Sequence, residues 1–352
     1  MNIPYRHRRT LNRIGTVLLV LITIFAIAWL CWVVWLQRYV VYTDGDAKLD
    51  FSQSSYDITG KEAVPPKAEQ NISIFYNEGA DAINTSTDMT PIAGYYITAE
   101  MFQTDFDNVM LQVERLTSST AVMIDMKGGY GSFYYESKLP DSVQSASTNI
   151  PQVKTLLDKL ESKGFYTIAR ISAFRDYNFG LNHVPSGLYM LSRAGLWSDE
   201  GGYYWLDPTS STTLGWVTDV VLELKELGFD EVVLDNFRFP NSTQYIFNGD
   251  KTVALQEAAE SLMSTCSSSK FVLSFIVDDP TFKLPEGRCR MYLSDIGAAS
   301  VSSTANLTGL EDPDIRVVFL SESGDTRYDD YSVLRTLYVA EEVEARKGNF
   351  IQ

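Results

Sequence analysis

Histidine and cysteine are scarce in this 352-residue chain, and their scarcity excludes several kinds of site. The chain has two histidines, His7 and His183, and three cysteines. Histidine-based zinc sites and Ser-His-Asp triads are therefore not expected, and the sequence predicts neither a metal nor a cofactor. Cys31 falls in a long apolar run, which leaves Cys266 and Cys289. Two thiols in one large domain do not make a disulfide scaffold.

Basic charge is also low, since 29 Lys and Arg residues face 45 Asp and Glu residues, for a formal net charge of −16. Binding a polyanion requires a basic surface, so nucleic acid is excluded as a partner. No glycine-rich phosphate-binding turn opens a helix, because Lys127-Gly128-Gly129-Tyr130-Gly131 leads into an aromatic, extended stretch.

One long uncharged run, residues 15–36, stands near the N-terminus. A run of about 20 apolar residues crosses a bilayer as a helix. Four arginines and no acidic residue precede it, so residues 1–14 are predicted to be cytoplasmic and the C-terminal domain to lie outside the cell membrane. A cleaved signal peptide is the alternative, but the run is too long and lacks a small-residue cleavage site. Residues 37–90, polar and proline-containing, predict an extended stalk with a short strand at Ile72–Tyr76.

Residues 91–352 alternate apolar strands with helical stretches, which predicts a parallel sheet covered by helices. The length, roughly 260 residues, favours an α/β fold of the closed (β/α)8 TIM type over an open doubly wound sheet. The helix between the fifth and sixth strands is faint, so the later half is expected to be irregular. Strands are predicted at Ile92–Thr98, Ala121–Met126, Phe165–Ser172, Glu231–Asp235, Phe271–Val277, Ala298–Ser302, Arg316–Leu320 and Asn349–Gln352. Helices are predicted at Phe102–Leu116, Pro151–Lys163, Leu214–Leu227, Val253–Cys266 and Asp329–Arg346.

Charged residues follow or end four of these strands, where a TIM barrel carries its active site. One such residue usually caps a strand or forms a salt bridge, but agreement among four strands indicates a site. The residues are Asp125 and Lys127, Arg170, Asp235 with Arg238, and Asp278 with Asp279.

Three segments resemble the glycoside-hydrolase barrels of bacterial surface proteins, which are relatives of the alpha-amylase-like enzymes. They are Ala121–Gly131 (AVMIDMKGGYG), Ile168–Phe174 (IARISAF) and Leu227–Pro240 (LGFDEVVLDNFRFP). The resemblance extends over about Ile92 to Gln352. It implies a TIM barrel, a carbohydrate substrate and Asp235 as the catalytic carboxylate of the fourth strand.

Glycoside hydrolysis needs two carboxyl groups, one to protonate the leaving oxygen and one to attack the sugar or activate water. Asp235 is the predicted nucleophile or general base. The fifth strand departs from the resemblance because it is apolar and its acids come late. Asp278 is nevertheless the first choice for the acid, with Asp125 in reserve. For each of these residues, a structural ion pair is the alternative role.

A long segment from Ala173 to Asp207 is rich in aromatic residues, and aromatic faces stack on sugar rings. Most of these rings are expected in a satellite core, with Trp197 or Tyr204 lining a groove. The predicted substrate-binding residues are Lys127, Tyr130, Arg170, Trp197, Tyr204, Asp207 and Arg238.

Three functions are consistent with this sequence. The first is a membrane-anchored glycoside hydrolase outside the cytoplasm, acting on a polysaccharide or cell-envelope glycan. The second is a degenerate barrel that binds glycan without cleaving it. The third is an envelope scaffold that docks other proteins.

Overall fold

The computed structural model describes Leu19, residues 21–30, Trp32, and residues 40–43, 46–49, 89–117, 120–192 and 195–340. The chain divides into two units, Met1–Glu78 and Gly79–Gln352. In the first unit, Val40–Thr43 pairs antiparallel with Asp46–Leu49, within the segment predicted to be an extended stalk.

Within these described ranges, no helix is both long and apolar enough to cross a membrane. The predicted anchor at residues 15–36 lies partly outside them. The cytoplasmic segment 1–14 and the predicted strands Ile72–Tyr76 and Asn349–Gln352 lie wholly outside them. These assignments stay predictions.

Eight parallel strands of the second unit form a closed barrel. Each strand pairs with the next along the chain, and the eighth pairs with the first. The predicted barrel is therefore confirmed, and the open doubly wound sheet is excluded. The strands are β1 (Ala93–Ile97), β2 (Ala121–Lys127), β3 (Tyr166–Ser172), β4 (Glu231–Asp235), β5 (Val272–Ile276), β6 (Met291–Leu293), β7 (Val317–Ser321) and β8 (Ser332–Thr336).

The strands are apolar on both faces because both faces are buried. Met123, Ile168 and Val233 belong to the small cluster that fills the barrel interior. Their neighbours Val232 and Leu234 belong to the larger cluster packed beneath the helices. This alternation brings Asp235, two residues beyond Val233, to the inner face at the end of β4.

Helices cover the barrel, and several begin and end at residues that suit those positions. Asn149, Ser210 and Asp250 are N-caps whose side chains accept backbone N–H bonds. Gly164 and Gly228 follow two of the helices with positive φ, 67° and 96°. The helices are α1 (Ala99–Thr104), α2 (Phe106–Arg115), α3 (Ile150–Ser162), α4 (Tyr177–Asn182), α5 (Ser211–Glu226), α6 (Lys251–Cys266), α7 (Val301–Leu307) and α8 (Pro313–Arg316).

The later half of the barrel differs from the sequence prediction at two strands. The predicted helix Asp329–Arg346 is wrong where Ser332–Thr336 forms β8. The predicted strand Ala298–Ser302 is instead a 3-10 turn running into α7. The sixth strand is the short segment Met291–Leu293. No helix lies between β5 and β6, where residues 277–290 are all described.

Short elements complete the unit, and the predicted helix Phe102–Leu116 is two helices, α1 and α2. Ser132–Phe133 pairs antiparallel with the end of β2 and parallel with Val143–Gln144. Tyr189–Met190 pairs with Tyr245–Ile246. Further 3-10 turns lie at Val184–Ser186, Thr326–Tyr328 and Leu337–Val339.

A buried polar cluster closes the N-terminal end of the barrel. The Glu231 carboxylate accepts hydrogen bonds from Ser274 Oγ (2.5 Å), Tyr292 OH (2.9 Å) and Tyr166 OH (3.0 Å). It also forms an ion pair with Arg290, whose side chain is 3% exposed. These contacts join four neighbouring strand segments at the N-terminal end of the barrel.

Candidate active site

A cavity of about 500 Å³ opens at the C-terminal mouth of the barrel. This is the end at which TIM barrels place their active sites, since loops from all eight strands meet there. Its polar lining comes from five strand ends. The polar residues that line it are Tyr96, Arg170, Asp235, Ser294, Asp295, Ser321, Glu322, Ser323 and Tyr328.

Arg170 on β3 connects two of the predicted carboxylates. Its Nε donates to Asp235 Oδ2 at 3.2 Å, and its terminal nitrogen lies 3.2 Å from the same oxygen. Arg170 Nε also lies 3.5 Å from Asp125 Oδ1. The structure therefore brings together Asp125, Arg170 and Asp235, as the strand ends predicted.

Asp125 contacts Arg170 but does not line the cavity. Its second oxygen accepts the Ala99 N–H at the start of α1, at 2.9 Å. Burial raises the pKa of Asp125, although the charge of Arg170 and the Ala99 bond oppose the rise. Burial lowers the pKa of Arg170, but the charges of Asp125 and Asp235 outweigh it, and the net shift is upward.

Asp235 is oriented by the backbone N–H of the next residue as well as by Arg170. The Asn236 N–H donates to Asp235 Oδ1 at 2.6 Å, and Asn236 has a φ of 51°. The Asn236 amide donates to Ser172 Oγ at the end of β3, at 3.2 Å. Asparagine tolerates this left-handed conformation better than most residues. The turn after β4 thus fixes the direction of the Asp235 carboxylate.

Asp295 and Glu322 are carboxylates of this cavity that the sequence reading missed. They follow β6 and β7, and both side chains are exposed to it. Asp295 has a φ of 60°, so it also occupies a backbone conformation that is costly for most residues. The signal was present, since Ser294-Asp295 follows the apolar triplet Met291–Leu293, but that triplet was not recognised as a strand.

The loops that carry these two carboxylates are bound to each other and to β8. Tyr328 OH donates to Ile296 O at 2.6 Å, which joins the β7 loop to the β6 loop. Arg335 on β8 donates to Ser323 O and to Asp325 O, both at 3.0 Å. The side of the cavity opposite Arg170 is therefore well supported.

Tyr96 on β1 supplies a neutral donor to the same cavity. Burial and the nearby charge of Glu322 raise its pKa to about 12. Its hydroxyl therefore stays protonated at neutral pH and can donate a hydrogen bond to a substrate oxygen.

Asp278, the first choice for the acid in the sequence reading, lies outside this cavity lining. Its side chain is 70% exposed and forms an ion pair with Arg238 Nε at 3.2 Å. Arg238 also lies over the Trp205 ring, 5.1 Å from its centroid. The structure therefore does not bring Asp278 and Arg238 into the cavity beside Asp235.

Two further residues of the predicted site have local partners. Lys127 Nζ lies 2.8 Å from Asp176 Oδ2, with side-chain exposures of 2% and 0%, and donates to Ser172 O at 2.8 Å. Asp207 accepts bonds from the N–H and the hydroxyl of Thr209 just before α5. Neither Lys127 nor Asp207 lines the cavity.

The aromatic residues of the long segment after β3 divide into two groups. Trp197 packs near Tyr245 in a satellite core, with ring centroids 5.6 Å apart. Tyr204 stacks on Tyr177, which stacks on the exposed Tyr130. The expected satellite core is therefore present, and Tyr130, which follows β2, has the exposed ring of the stack.

Metal-ligating types of side chain do not cluster in the described part of the chain. No group of three or more His, Cys, Asp or Glu side chains there is arranged to hold a metal ion. Cys266 and Cys289 are free and buried, and burial raises the pKa of Cys266 to about 11. The polar side chains that line the cavity are carboxylates, one guanidinium, two phenols and serine hydroxyls.

Comparison with solved structures gives similar chains from several bacteria. A hypothetical protein from Ruminiclostridium thermocellum is 23% identical, with 52% of this chain covering 96% of that one, at a TM-score of 0.45. An alpha-galactosidase from Thermus thermophilus is 14% identical, with coverage of 53% and 38% and a TM-score of 0.38. The alpha-galactosidase from Geobacillus stearothermophilus is 10% identical, with coverage of 76% and 43% and a TM-score of 0.48. The chain thus spans less than half the length of either galactosidase. No curated protein matches it.

A family model described as "Putative glycosyl hydrolase domain" matches residues 94–274. The match runs from β1 into β5 and includes Asp125, Arg170 and Asp235. Because it covers just over half of the chain, the protein belongs to this glycosyl hydrolase domain family.

Proposed function

We propose that the protein is a glycoside hydrolase anchored in the cell membrane, acting outside the cytoplasm on a polysaccharide or cell-envelope glycan. One observation carries the proposal. Asp235 and Asp295 line a single cavity at the C-terminal mouth of a barrel that belongs to a glycosyl hydrolase domain family. Two carboxyl groups facing one cavity are what glycoside hydrolysis requires. The likeness to alpha-amylase-like enzymes of bacterial surfaces is part of the proposal.

Asp235 is the nucleophile or general base. Arg170 donates to one of its oxygens and the Asn236 N–H donates to the other. These donors hold a carboxylate in one orientation, which an attacking or water-activating group needs. Asp125 acts through Arg170 as a positioning residue, because it contacts that guanidinium without lining the cavity.

Asp295 is the general acid in this proposal. Within the described residues, no cation lies at ion-pair distance from its carboxylate, whereas Asp235 has Arg170. A general acid must carry its proton when the substrate binds, and a paired arginine would oppose that state. Glu322 lines the same cavity and is placed to bind substrate hydroxyls.

Glycan binding without cleavage is the second candidate, and one observation favours it. Ile276 at the end of β5 lines the cavity, so the fifth strand contributes no acid where the resemblance leads one to expect it. If Asp295 does not act as the acid, the barrel holds glycan without hydrolysing it.

The membrane part of the proposal is supported by the uncharged run at residues 15–36 and the four arginines before it. Full-length protein should sediment with membranes after alkaline carbonate washing. Protease added to intact cells should degrade the barrel. Recovery of an intact chain in the carbonate supernatant would contradict the anchor and leave the hydrolase proposal standing.

Reducing-end release tests the hydrolase directly. The full chain is incubated with amylopectin, laminarin, arabinoxylan, galactomannan and isolated cell wall, beside Asp235→Asn, Asp295→Asn and the exposed control Asp278→Asn. Loss of a catalytic carboxyl group should lower release by about 10²–10⁴-fold, and the control should stay within about twofold of the parent.

Each result has a defined meaning. Full activity in Asp295→Asn would remove that residue from the acid role. Equal activity in Asp235→Asn would refute the proposed site. Retention of parent and variants on one glycan, with no release by any of them, would establish the binding module instead.

A further inference from the structure

A stack of three tyrosine rings lies at the C-terminal end of the barrel, which is the end at which the cavity opens. We call it the tyrosine platform, and it consists of Tyr130, Tyr177 and Tyr204. The rings of Tyr130 and Tyr177 are stacked with centroids 4.6 Å apart and an interplanar angle of 18°. Those of Tyr177 and Tyr204 are 4.9 Å apart at 9°. One face of Tyr130 is covered in this way, yet the residue is 48% exposed.

The platform is rigidly supported by Tyr203 and Arg175. The Tyr203 ring meets Tyr130 edge-on, with centroids 5.8 Å apart, and Arg175 lies over Tyr203 at 3.8 Å from its centroid. Arg175 Nε donates to Asp199 at 2.7 Å, and Asp199 also accepts the Trp205 indole N–H at 3.1 Å. An exposed ring held in this way can bind a ligand with little loss of conformational entropy.

The platform and the catalytic carboxylate lie at the same end of the barrel. Tyr130 follows β2 and Tyr177 follows β3, as Asp235 ends β4. A short chain of hydrogen bonds links them, because Ser172 Oγ accepts from the Asn236 amide and donates to Arg175 O at 2.7 Å.

The platform and Asp295 lie on opposite sides of the barrel mouth. In the order of the eight strands around the closed barrel, β2, which precedes Tyr130, lies opposite β6, which precedes Asp295. This order means that a ligand running from the platform to Asp295 crosses the mouth, where the side chains of Asp235 and Arg170 line the cavity.

From this order we infer that the protein binds an extended glycan chain across Asp235, with one sugar ring stacked on the exposed part of the Tyr130 ring and a neighbouring unit in the cavity. The inference rests on the proposed function and deepens it. A pyranose ring presents an apolar face of C–H groups that packs on an aromatic ring, and the tyrosine hydroxyl adds a polar tip. The bond at Asp235 is then an internal one, so the substrate is a chain of sugars rather than one terminal sugar.

Affinity electrophoresis tests the platform without any need for catalysis. The full chain is run in gels containing amylopectin, laminarin, arabinoxylan or galactomannan, all in the Asp235→Asn background, so that hydrolysis cannot change the probe. We expect retardation by at least one polysaccharide. Tyr130→Ala should weaken binding at least fivefold, and Tyr130→Phe, which keeps the ring, should stay within about twofold.

Two further variants separate stacking from folding. Tyr130→Leu keeps an apolar side chain against Tyr177 but has no flat ring, so it should lose binding as Tyr130→Ala does. Leu111→Ala removes an equally exposed apolar side chain from α2 and should leave retardation unchanged. Melting temperatures within about 2 °C of one another would exclude misfolding as the cause.

The outcomes distinguish this inference from the proposed function. Parent-like binding by Tyr130→Ala and Tyr130→Leu, or no retardation of the parent by any of the four polysaccharides, would overturn the platform. Ring-dependent binding supports it even if the catalytic assays find no release. In that case the hydrolase proposal fails while the extended binding site stands.

Discussion

Removing the charge of Glu231 should destabilise the barrel strongly, although this residue is remote from the active site. Glu231→Gln keeps nearly the same volume but replaces one acceptor oxygen with an NH2 group, which only donates. Ser274, Tyr166 and Tyr292 all donate to this carboxylate, so at least one buried donor would face another donor. Arg290 would keep a buried charge without its partner.

The size of the effect follows from these contacts. Breaking a buried ion pair by removing one partner costs about 3–5 kcal/mol. A buried donor left without an acceptor adds roughly 1–3 kcal/mol. Arg290 retains its bonds to Ile315 O (3.2 Å) and Thr90 O (3.0 Å), which offset part of that cost. We expect a net loss of about 4 kcal/mol, which corresponds to roughly 10 °C in melting temperature for a domain of this size.

Thermal unfolding of the full chain, followed by near-ultraviolet circular dichroism, measures this loss. Glu260→Gln on the exposed face of α6 is the matched control and should shift the melting temperature by less than about 1 °C. A double variant, Glu231→Leu with Arg290→Met, should recover part of the loss because no charge is left unpaired. If Glu231→Gln melted within about 2 °C of the parent, the buried pair would not stabilise the barrel.

The remaining predictions concern the buried Lys127, Tyr292 at the N-terminal end of the barrel, and Arg335, which supports a loop. Lys127→Met should cost about 3 kcal/mol of stability, because it leaves the buried Asp176 without its ion-pair partner, and KM should stay unchanged below the melting transition. A raised KM with normal stability would instead make Lys127 a substrate contact. Burial raises the pKa of Tyr292 above its usual range. The contribution of Tyr292 to stability is therefore complete below about pH 10 and is lost as the pH rises towards the pKa of the folded state. A melting temperature as high at pH 11 as at pH 8 would contradict this. Arg335→Met should lower kcat/KM about tenfold by loosening the loop that carries Glu322, with partial rescue in Arg335→Lys; normal kcat/KM with a lowered melting temperature would show a purely structural role.

The regular part of the barrel could be predicted from sequence because its strands are apolar on both faces. The predicted strand Phe165–Ser172 begins one residue before β3, and the predicted strand Glu231–Asp235 has the bounds of β4. Gly164 and Gly228 follow the ends of two helices, as the sequence predicts. β8 could not be found this way. Its sequence, SVLRT, includes the charged Arg335, which does not indicate a buried strand. The fold shows how this arginine is accommodated, because its side chain donates a hydrogen bond to the neighbouring loop.

The grouping of charged residues at the barrel mouth could be predicted where the strands themselves were clear. Asp125, Arg170 and Asp235 lie at or near the C-terminal ends of strands that the sequence predicts clearly, so strand order alone predicts their convergence. The position of Asp295 at the cavity could not be predicted in this way, because β6 has three residues and no helix lies in residues 277–290 before it. Without that strand, the sequence points to the first acid after β5, Asp278, whose side chain the structure leaves largely exposed beside Arg238.

Backbone strain identifies the same pair of strand ends independently of charge. In the described part of the chain, two residues other than glycine have positive φ, Asn236 at 51° and Asp295 at 60°. Such conformations cost free energy and persist only where surrounding contacts enforce them. Asn236 follows the end of β4 and Asp295 lies just beyond β6, and each turn directs a carboxylate to one cavity: Asp235 in the first case, Asp295 itself in the second. Barrel closure does not require this, since β3 passes into Ala173 without positive φ. The two turns are therefore better explained by the placement of the two carboxylates than by packing of the barrel.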